Sequence, residues 1–152
     1  MHSAISYNAE NVSFSPKNKK VLKDWIKEIA KREGKIIGNV SFIFCDDSYL
    51  LKLNKRYLKH DTFTDIITFN YNEGSFISGD IFISIERVSE NAARFNTQFS
   101  EELCRVMSHG ILHLVGYSDK KSSERLDMRA REDECLMILN KQFTFHVKQF
   151  NV

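Results

Sequence analysis

Apolar and polar positions along the first part of the chain predict a helix, a strand and a second helix. Apolar residues recur at helical spacing over 17–32, and lysines occupy the opposite face. Residues 35–45 are rich in isoleucine, valine and phenylalanine, which predicts a strand. Asp46 or Asp47 can then cap a second helix that runs to about Leu58. This part of the chain is therefore predicted to alternate between α and β structure.

Two further strands are predicted in the middle of the chain. Residues 65–71 and 79–86 both have strand composition, and the connection 72–78 contains a glycine. In the second strand three isoleucines occupy alternate positions, which is the period of a sheet with two different faces. We therefore expect an antiparallel hairpin.

The C-terminal half is predicted to be mainly helical. A short helix is expected over 86–95, and a better marked helix begins near Ser100, which can cap it, and ends at Gly116. A last amphipathic helix covers about 122–139, and the tail from Lys141 could add a strand or form an arm. The whole pattern predicts an α+β fold in which a small mixed β-sheet of about four strands, including the antiparallel hairpin, packs with about five helices.

Length and composition fit a single domain over 1–152. The chain has 152 residues, of which 42% are hydrophobic, and it contains no repeat or linker-like segment. The formal net charge of +2 is too small to mark a polycationic nucleic-acid binder, although a local basic patch could still bind RNA.

The cysteines and the termini indicate the compartment. Cys45, Cys104 and Cys135 are odd in number and far apart, which disfavours a disulfide framework. No signal peptide is visible, and no apolar run approaches the ~20 residues that a bilayer needs. We therefore expect a cytoplasmic protein with no membrane association. A nucleophilic role for Cys104 is disfavoured, because its offset from His109 puts the two side chains on different helix faces.

The clearest chemistry lies in the helix that ends at Gly116. His109 and His113 are four residues apart, so both imidazoles lie on one helix face with Cβ atoms about 5–6 Å apart, close enough to bind one metal ion. Gly116 lets the chain turn back and bring Asp119 beside them. Three ligands leave an open position for water, as in catalytic zinc sites. Two hydrogen-bonded core histidines would give the same spacing, and that alternative stays open.

Gly110 excludes one type of zinc enzyme. Proteases with a His-Glu-x-x-His helix need a glutamate beside the first histidine as general base, and this chain has Gly110 there. A glycine in mid-helix costs up to ~1 kcal/mol relative to alanine. We therefore expect a neighbouring backbone or a substrate to approach closely at that point.

Several blocks, in one order along the chain, carry a family resemblance. They are His-Gly-Ile-Leu-His-Leu-Val-Gly-Tyr-Ser-Asp at 109–119, Leu-Asn at 53–54 followed by Tyr57, Thr-Asp-Ile-Ile-Thr-Phe at 64–69 and Gly-Asp-Ile at 79–81. Together these blocks resemble the YbeY family of single-strand-specific, metal-dependent endoribonucleases that mature ribosomal RNA. An N-terminal strand and the first helix also fit the length of that family.

The resemblance implies a zincin-like metal helix and one Zn²⁺ per chain. The ligands would be His109, His113 and Asp119, and the two histidines would act in catalysis through the metal. Asp119 stands where the family has a third histidine, and an aspartate oxygen can ligate zinc. The alternative is a noncoordinating Asp119, with water or His146 in its place.

The resemblance also implies cationic contacts to RNA. The functionally important arginine of the family aligns with Leu58, so nearby Arg56 is a candidate for that catalytic role, with Lys59 as its rival. Phe63 or Phe69 could stack a base. Asp61, Thr64 and Asp65 could position the site or accept a proton, although turn roles explain them as well. The RNA-binding candidates before Asp61 are Lys52, Lys55, Arg56 and Lys59.

As a function, the resemblance implies zinc-dependent cleavage of single-stranded ribosomal RNA. It implies processing of the 3′ end of small-subunit rRNA and ribosome quality control, with the ribosome or its small subunit as partner. Two alternatives remain. One is a metallohydrolase that acts on something other than RNA, and the other is a ribosome-assembly binding factor with a structural metal.

Overall fold

The strands of the chain form one mixed sheet. The computed structural model describes residues 4–59 and 64–143, and within them the sheet has the order β1-β2-β4-β3. β1, β2 and β4 run parallel, and β3 pairs antiparallel with β4. The expected mixed sheet with an antiparallel hairpin is confirmed. The strands are β1 (Ala4–Ala9), β2 (Ile36–Cys45), β3 (Ile66–Asn70) and β4 (Phe76–Ser84).

Helices connect and cover this sheet. Parallel neighbours need crossover connections, and α1 supplies the one between β1 and β2. A π-helical segment, Asn54–Leu58, extends α2 to the end expected for the second helix. The α+β class with about five helices is therefore confirmed. The helices are α1 (Lys19–Arg32), α2 (Asp47–Leu53), α3 (Ile85–Arg94), α4 (Phe99–Val115) and α5 (Ser122–Gln142).

One helix cap was predicted correctly and another was not. Asp46 caps α2, where its side-chain oxygen accepts a hydrogen bond from the backbone N–H of Tyr49 at 2.8 Å. Ser100 is not the cap of α4, because that helix begins at Phe99 and buries Ser100 in its first turn. The start of α4 is instead bridged by a hydrogen bond from the Thr97 hydroxyl to Glu101.

The hydrophobic pattern does not mark β1. Of its six residues only Ile5 and Tyr7 are partly buried, because it is an edge strand that pairs with β2 alone. At the other end α5 continues to Gln142, so the tail begins later than expected. The strand or arm predicted for that tail, with His146, lies outside the described residues, as do Asp61 and Phe63.

The two faces of the sheet bury different clusters. Alternate β4 residues, among them Ile81 and Ile83, belong to the main core with α1, α4 and α5. Phe82 points the other way, into a smaller cluster beneath α2. The Trp25 ring N–H of α1 donates to the carbonyl oxygen of Cys135 at 2.8 Å, which fixes α5 against α1 inside the main core. This packing makes α4 the central helix, as its apolar composition predicts.

The positions of the cysteines disfavour redox or nucleophilic roles. All three are free and buried. Burial raises the pKa of Cys104 well above its ordinary value, and the charge of Glu101 raises it further. A buried thiol with a raised pKa is a poor nucleophile, which agrees with the sequence-based expectation for Cys104. Separately, no helix within residues 4–59 and 64–143 is long and apolar enough to cross a membrane.

Gly110 lies where α4 packs tightly against the sheet. An alanine Cβ there would lie 2.9 Å from Cγ2 of Ile81 and 3.0 Å from Cδ1 of Ile66. The neighbours are therefore core side chains, and the expectation of a backbone or a substrate at this position is wrong. Because these side chains lie so close, position 110 of α4 has no room for a side chain.

We expect Gly110→Ala to lower the free energy of unfolding by about 1–2 kcal/mol. Overpacking against β-branched Ile81 outweighs the ~1 kcal/mol that alanine contributes to a helix. Urea denaturation measures the change. In an Ile81→Ala background the same substitution should cost clearly less, because only the contact with Ile66 remains, and an equal cost in both backgrounds would show that the contact with Ile81 is not the cause.

Candidate functional site

Helix α4 carries the two histidines, and the turn after it brings in Asp119. The side chains of His109 and His113 are 18% and 23% exposed on an otherwise buried helix. Gly116, at a φ of 128°, ends the helix and reverses the chain. Asp119 Oδ2 then lies 3.1 Å from His109 Nε2 and 3.4 Å from His113 Nε2. The structure thus brings together the three residues that the sequence nominates as ligands.

Hydrogen bonds behind both imidazole rings determine which nitrogen faces the cluster. His113 Nδ1 lies 3.0 Å from the carbonyl oxygen of Tyr117, which only accepts, so Nδ1 carries the proton. His109 Nδ1 donates in the same way to Glu132 Oε2 at 2.5 Å. In both rings the nitrogen that faces Asp119 is therefore Nε2, and the two Nε2 atoms are 2.8 Å apart.

The two histidines differ in their affinity for a second proton. Burial lowers the pKa of His113, and the charge of His109 lowers it further. Burial also lowers the pKa of His109, but the hydrogen bond and charge of Glu132, with Asp119 and Asp65, raise it above its ordinary value overall. A second proton therefore binds His109 in preference to His113, whose Nε2 is the better lone-pair donor. A cation bound between the two rings would compete with that proton.

The donor atoms fit a metal ion of zinc size. All three lie within 4.8 Å of one another. Bonds of about 2.0–2.2 Å at tetrahedral angles place neighbouring donors roughly 3.3–3.6 Å apart. The distances of 3.1 and 3.4 Å to Asp119 are close to that spacing, and the 2.8 Å between the histidines needs only a small opening of the rings. Two imidazoles and one carboxylate can therefore hold such an ion.

A buried glutamate on α5 supports the cluster and was not predicted. Glu132 is 5% exposed, and its second oxygen accepts from Arg105 at 3.1 Å. Arg105 also donates to Asp133 at 2.7 Å. The sequence signal that could have identified Glu132 is that this acidic residue occupies a position that helical spacing assigns to the apolar stripe of α5. That stripe consists of Met128, Glu132, Cys135, Leu136 and Leu139.

The cluster opens into a cleft of about 530 Å³ that contains two further carboxyls. Glu102 lies on the histidine face of α4 and is 6% exposed. Burial raises the pKa of Glu102 to about 7, and Asp65 adds to this rise while Arg105 and Arg129 oppose it. Burial likewise raises the pKa of Asp65, against the charge of His109. Glu102 can therefore exchange protons close to neutral pH, and Asp65 holds its proton to higher pH than an ordinary aspartate.

The predicted RNA contacts lie elsewhere on the surface. Lys52, Lys55, Arg56 and Lys59 are exposed, and none of them is among the described residues that line the cleft. Leu58, from the same segment, does line it and is 45% exposed. Phe69 is half-buried, with its ring packed edge-on against Tyr57 and Phe82. The arginines that line the cleft are Arg105, Arg125 and Arg129, which were not among the predicted contacts.

The sheet, the histidine helix and the cleft define an α+β protein with a candidate metal centre on its central helix. The family described as Endoribonuclease YbeY matches residues 4–140, and the chain belongs to this family. The resemblance drawn from the sequence blocks is thereby confirmed.

Individual relatives agree with this assignment. Endoribonuclease YbeY of Flavobacterium johnsoniae is 48% identical over 145 residues, which cover 95% of this chain and 99% of that protein. The relative of the same name from Parabacteroides distasonis is 48% identical over 139 residues, covering 91% and 98%. The solution structure of TM1509 from Thermotoga maritima matches with a TM-score of 0.63 at 28% identity, covering 93% of this chain and 92% of that one.

We expect Glu102→Gln to stabilise the metal-free protein at alkaline pH. A carboxyl whose pKa rises on folding loses stability as pH increases from its unfolded to its folded pKa, here from 4.5 to about 7. Above that range the ionised group costs on the order of 3 kcal/mol, and a neutral glutamine avoids this cost. The stability advantage of the variant should therefore grow between about pH 5 and pH 8. Urea denaturation with a chelator present measures it, and exposed Glu134→Gln is the control. An advantage that does not change with pH would contradict the raised pKa.

We expect Glu132→Ala to weaken Zn²⁺ binding about 10–100-fold, because His109 loses the acceptor that orients its ring. Glu132→Gln keeps an acceptor and should lose less. Competition with a chromophoric chelator gives the affinity. Asp133→Ala removes the other partner of Arg105 without touching His109 and is the matched control. Unchanged affinity in a folded Glu132→Ala protein would exclude this role.

Proposed function

We propose that this chain is a zinc-dependent endoribonuclease that cuts single-stranded RNA during the maturation of ribosomal RNA. Its relatives carry the name endoribonuclease. The observation that carries the proposal is the convergence of His109 Nε2, His113 Nε2 and Asp119 Oδ2 in an open cleft. A site closed on all sides would suit a structural metal, whereas this one is accessible to a substrate.

The proposed metal is one Zn²⁺ per chain, held by His109, His113 and Asp119. When bound, zinc would polarise a phosphoryl oxygen or lower the pKa of its water toward ~7. Tyr117 and Glu132 orient the two imidazoles through their Nδ1–H groups. This arrangement keeps both Nε2 atoms directed at one point without rearrangement during the reaction.

Protein carboxyls would handle the protons of the reaction. Asp65 and Glu102 line the same cleft, and both hold a proton at higher pH than an ordinary carboxyl. Either can give a proton to the leaving oxygen or accept one from the attacking group. Because Gly110 occupies the place of the protease glutamate, these carboxyls take over the acid–base role.

The cations of the α2 region would bind RNA that extends beyond the cleft. Arg56 remains the candidate for the catalytic arginine, and its guanidinium lies 5.4 Å from the centre of the Tyr57 ring. Exposed Lys52, Lys55 and Lys59 add positive charge beside it. Such a group attracts the phosphate backbone irrespective of base sequence.

The proposed biological role is processing of the 3′ end of small-subunit rRNA, together with ribosome quality control, in the cytoplasm. Its partners would be single-stranded ribosomal RNA and the ribosome or its small subunit. Family membership supports this role. Three free, buried cysteines fit a reducing compartment.

We expect the purified protein to contain about one zinc per chain and to cut an unstructured RNA oligonucleotide. His113→Ala should lose both properties, and Asp119→Ala should lose bound metal. Asp127→Ala removes an exposed acid of α5 outside the cluster and is the control. Elemental analysis and gel assays give the readouts.

Three outcomes would contradict parts of this proposal. RNA cleavage that persists in a folded His109→Ala, His113→Ala double variant would overturn the metal mechanism. Hydrolysis of peptides or esters without RNA cleavage would favour a different metallohydrolase. Ribosome association that survives in a folded, metal-free variant, with no cleavage by the native protein, would favour a binding factor.

A further inference from the structure

Three residues that line the cleft have no role in the histidine cluster. Phe95 ends α3, and Arg125 and Arg129 lie on α5. None of the three belongs to the buried core. Their placement therefore needs an explanation other than packing.

Phe95 presents a large apolar ring to solvent from a rigid turn. The residue is 54% exposed. Its backbone N–H donates to the carbonyl oxygen of Asn91 at 2.9 Å, and that of Thr97 donates to Ala92 at 2.9 Å. Asn96, which lies between them, has a positive φ of 54°, so the chain changes direction immediately after Phe95. Because hydrogen bonds already order this backbone, little further backbone entropy is lost when a ligand stacks on the ring.

Arg125 and Arg129 form no ion pair within the described residues, unlike Arg105. Arg105 is bound by Glu132 and Asp133. Arg125 donates to the carbonyl oxygen of Lys120 at 2.8 Å, which leaves its charge unneutralised. Arg129 is exposed and has no carboxylate within 4.0 Å in residues 4–59 and 64–143. Two guanidinium groups in the cleft are thus available for an anionic ligand.

We propose that Phe95, Arg125 and Arg129 form a nucleotide subsite beside the metal cluster. An unpaired base stacks on the Phe95 ring, and the two guanidinium groups bind the flanking phosphates. Base–aromatic stacking and cationic contacts are the means by which proteins hold single strands. Bases inside a duplex are stacked on both faces, so this subsite selects single-stranded RNA. The inference rests on the proposed function and names the groups that recognise the substrate.

The test measures binding of a labelled single-stranded oligoribonucleotide to the zinc-loaded protein by fluorescence anisotropy, with a gel to verify that the RNA stays intact. Phe95→Ala should raise Kd about 5- to 150-fold, and Phe95→Trp should preserve binding. With an oligonucleotide of the same length that lacks bases, Phe95→Ala should change nothing. A structural role for the ring would weaken both ligands equally.

The arginines are expected to behave differently. Arg125→Ala and Arg129→Ala should weaken binding of both oligonucleotides, and each should reduce the slope of log K against log salt concentration by roughly 0.7. The matched controls are Leu126→Ala and Lys141→Ala, which change exposed α5 residues outside the cleft lining and should leave binding unchanged. Equal zinc content in every variant shows that the metal cluster is intact.

Failure of this inference differs from failure of the proposed function. If the native protein binds and cuts single-stranded RNA while Phe95→Ala binds it as tightly, only the subsite is wrong. A Phe95→Ala loss that is equal with and without bases also overturns the stacking role. If the native protein neither binds nor cuts RNA, both proposals fail.

Discussion

The hydrogen bonds behind the two imidazoles are the constraint on which the candidate site depends. They determine that both histidines direct Nε2 at Asp119, and each comes from a different part of the fold. The carbonyl of Tyr117 is available because Gly116 reverses the chain, and the carboxylate of Glu132 is available because α5 packs beside α4. The hydrogen bond from Trp25 to the carbonyl oxygen of Cys135 fixes α5 at a point about one helical turn after Glu132. Contacts in the protein core therefore determine the orientation of a cluster that is accessible from the surface.

Two glycines let α4 lie close enough to the sheet for this arrangement. Gly110 sits between the histidines and against Ile81, and Gly79 of β4 leaves space for the side chain of Leu114. A Cβ at position 79 would lie 2.9 Å from Leu114 Cδ2. The close approach places the histidine face next to Asp65, at the start of β3, and the mutual influence of Asp65 and His109 on their pKa values follows from that proximity. The distance between α4 and the sheet therefore also determines the electrostatics of the site.

Much of the fold and the central trio could be predicted from the sequence, because both depend on local spacing. Helical periodicity places His109 and His113 on one face, and the turn at Gly116 brings Asp119 beside them. Glu132 could not be placed, because its contact with His109 depends on how α5 crosses α4. Glu102 has an ordinary explanation as a first-turn acid at the positive end of a helix, which conceals its burial. The hydrophobic pattern does not mark β1, because an edge strand buries too few side chains to leave one.

The groups that line the cleft act in opposite directions on an anionic ligand. Asp119 contributes a carboxylate, and Leu58 contributes no charge. The carboxylate makes the lining less attractive to a phosphate. Arg125 and Arg129 act in the opposite direction, since they line the same cleft with no carboxylate bound to either in the described part of the chain. Protonation of Glu102, whose pKa is about 7, removes a further negative charge. In the described residues, the positive charge of the cleft that no bound carboxylate neutralises thus comes from α5, whereas the cations of the α2 region lie outside the cleft.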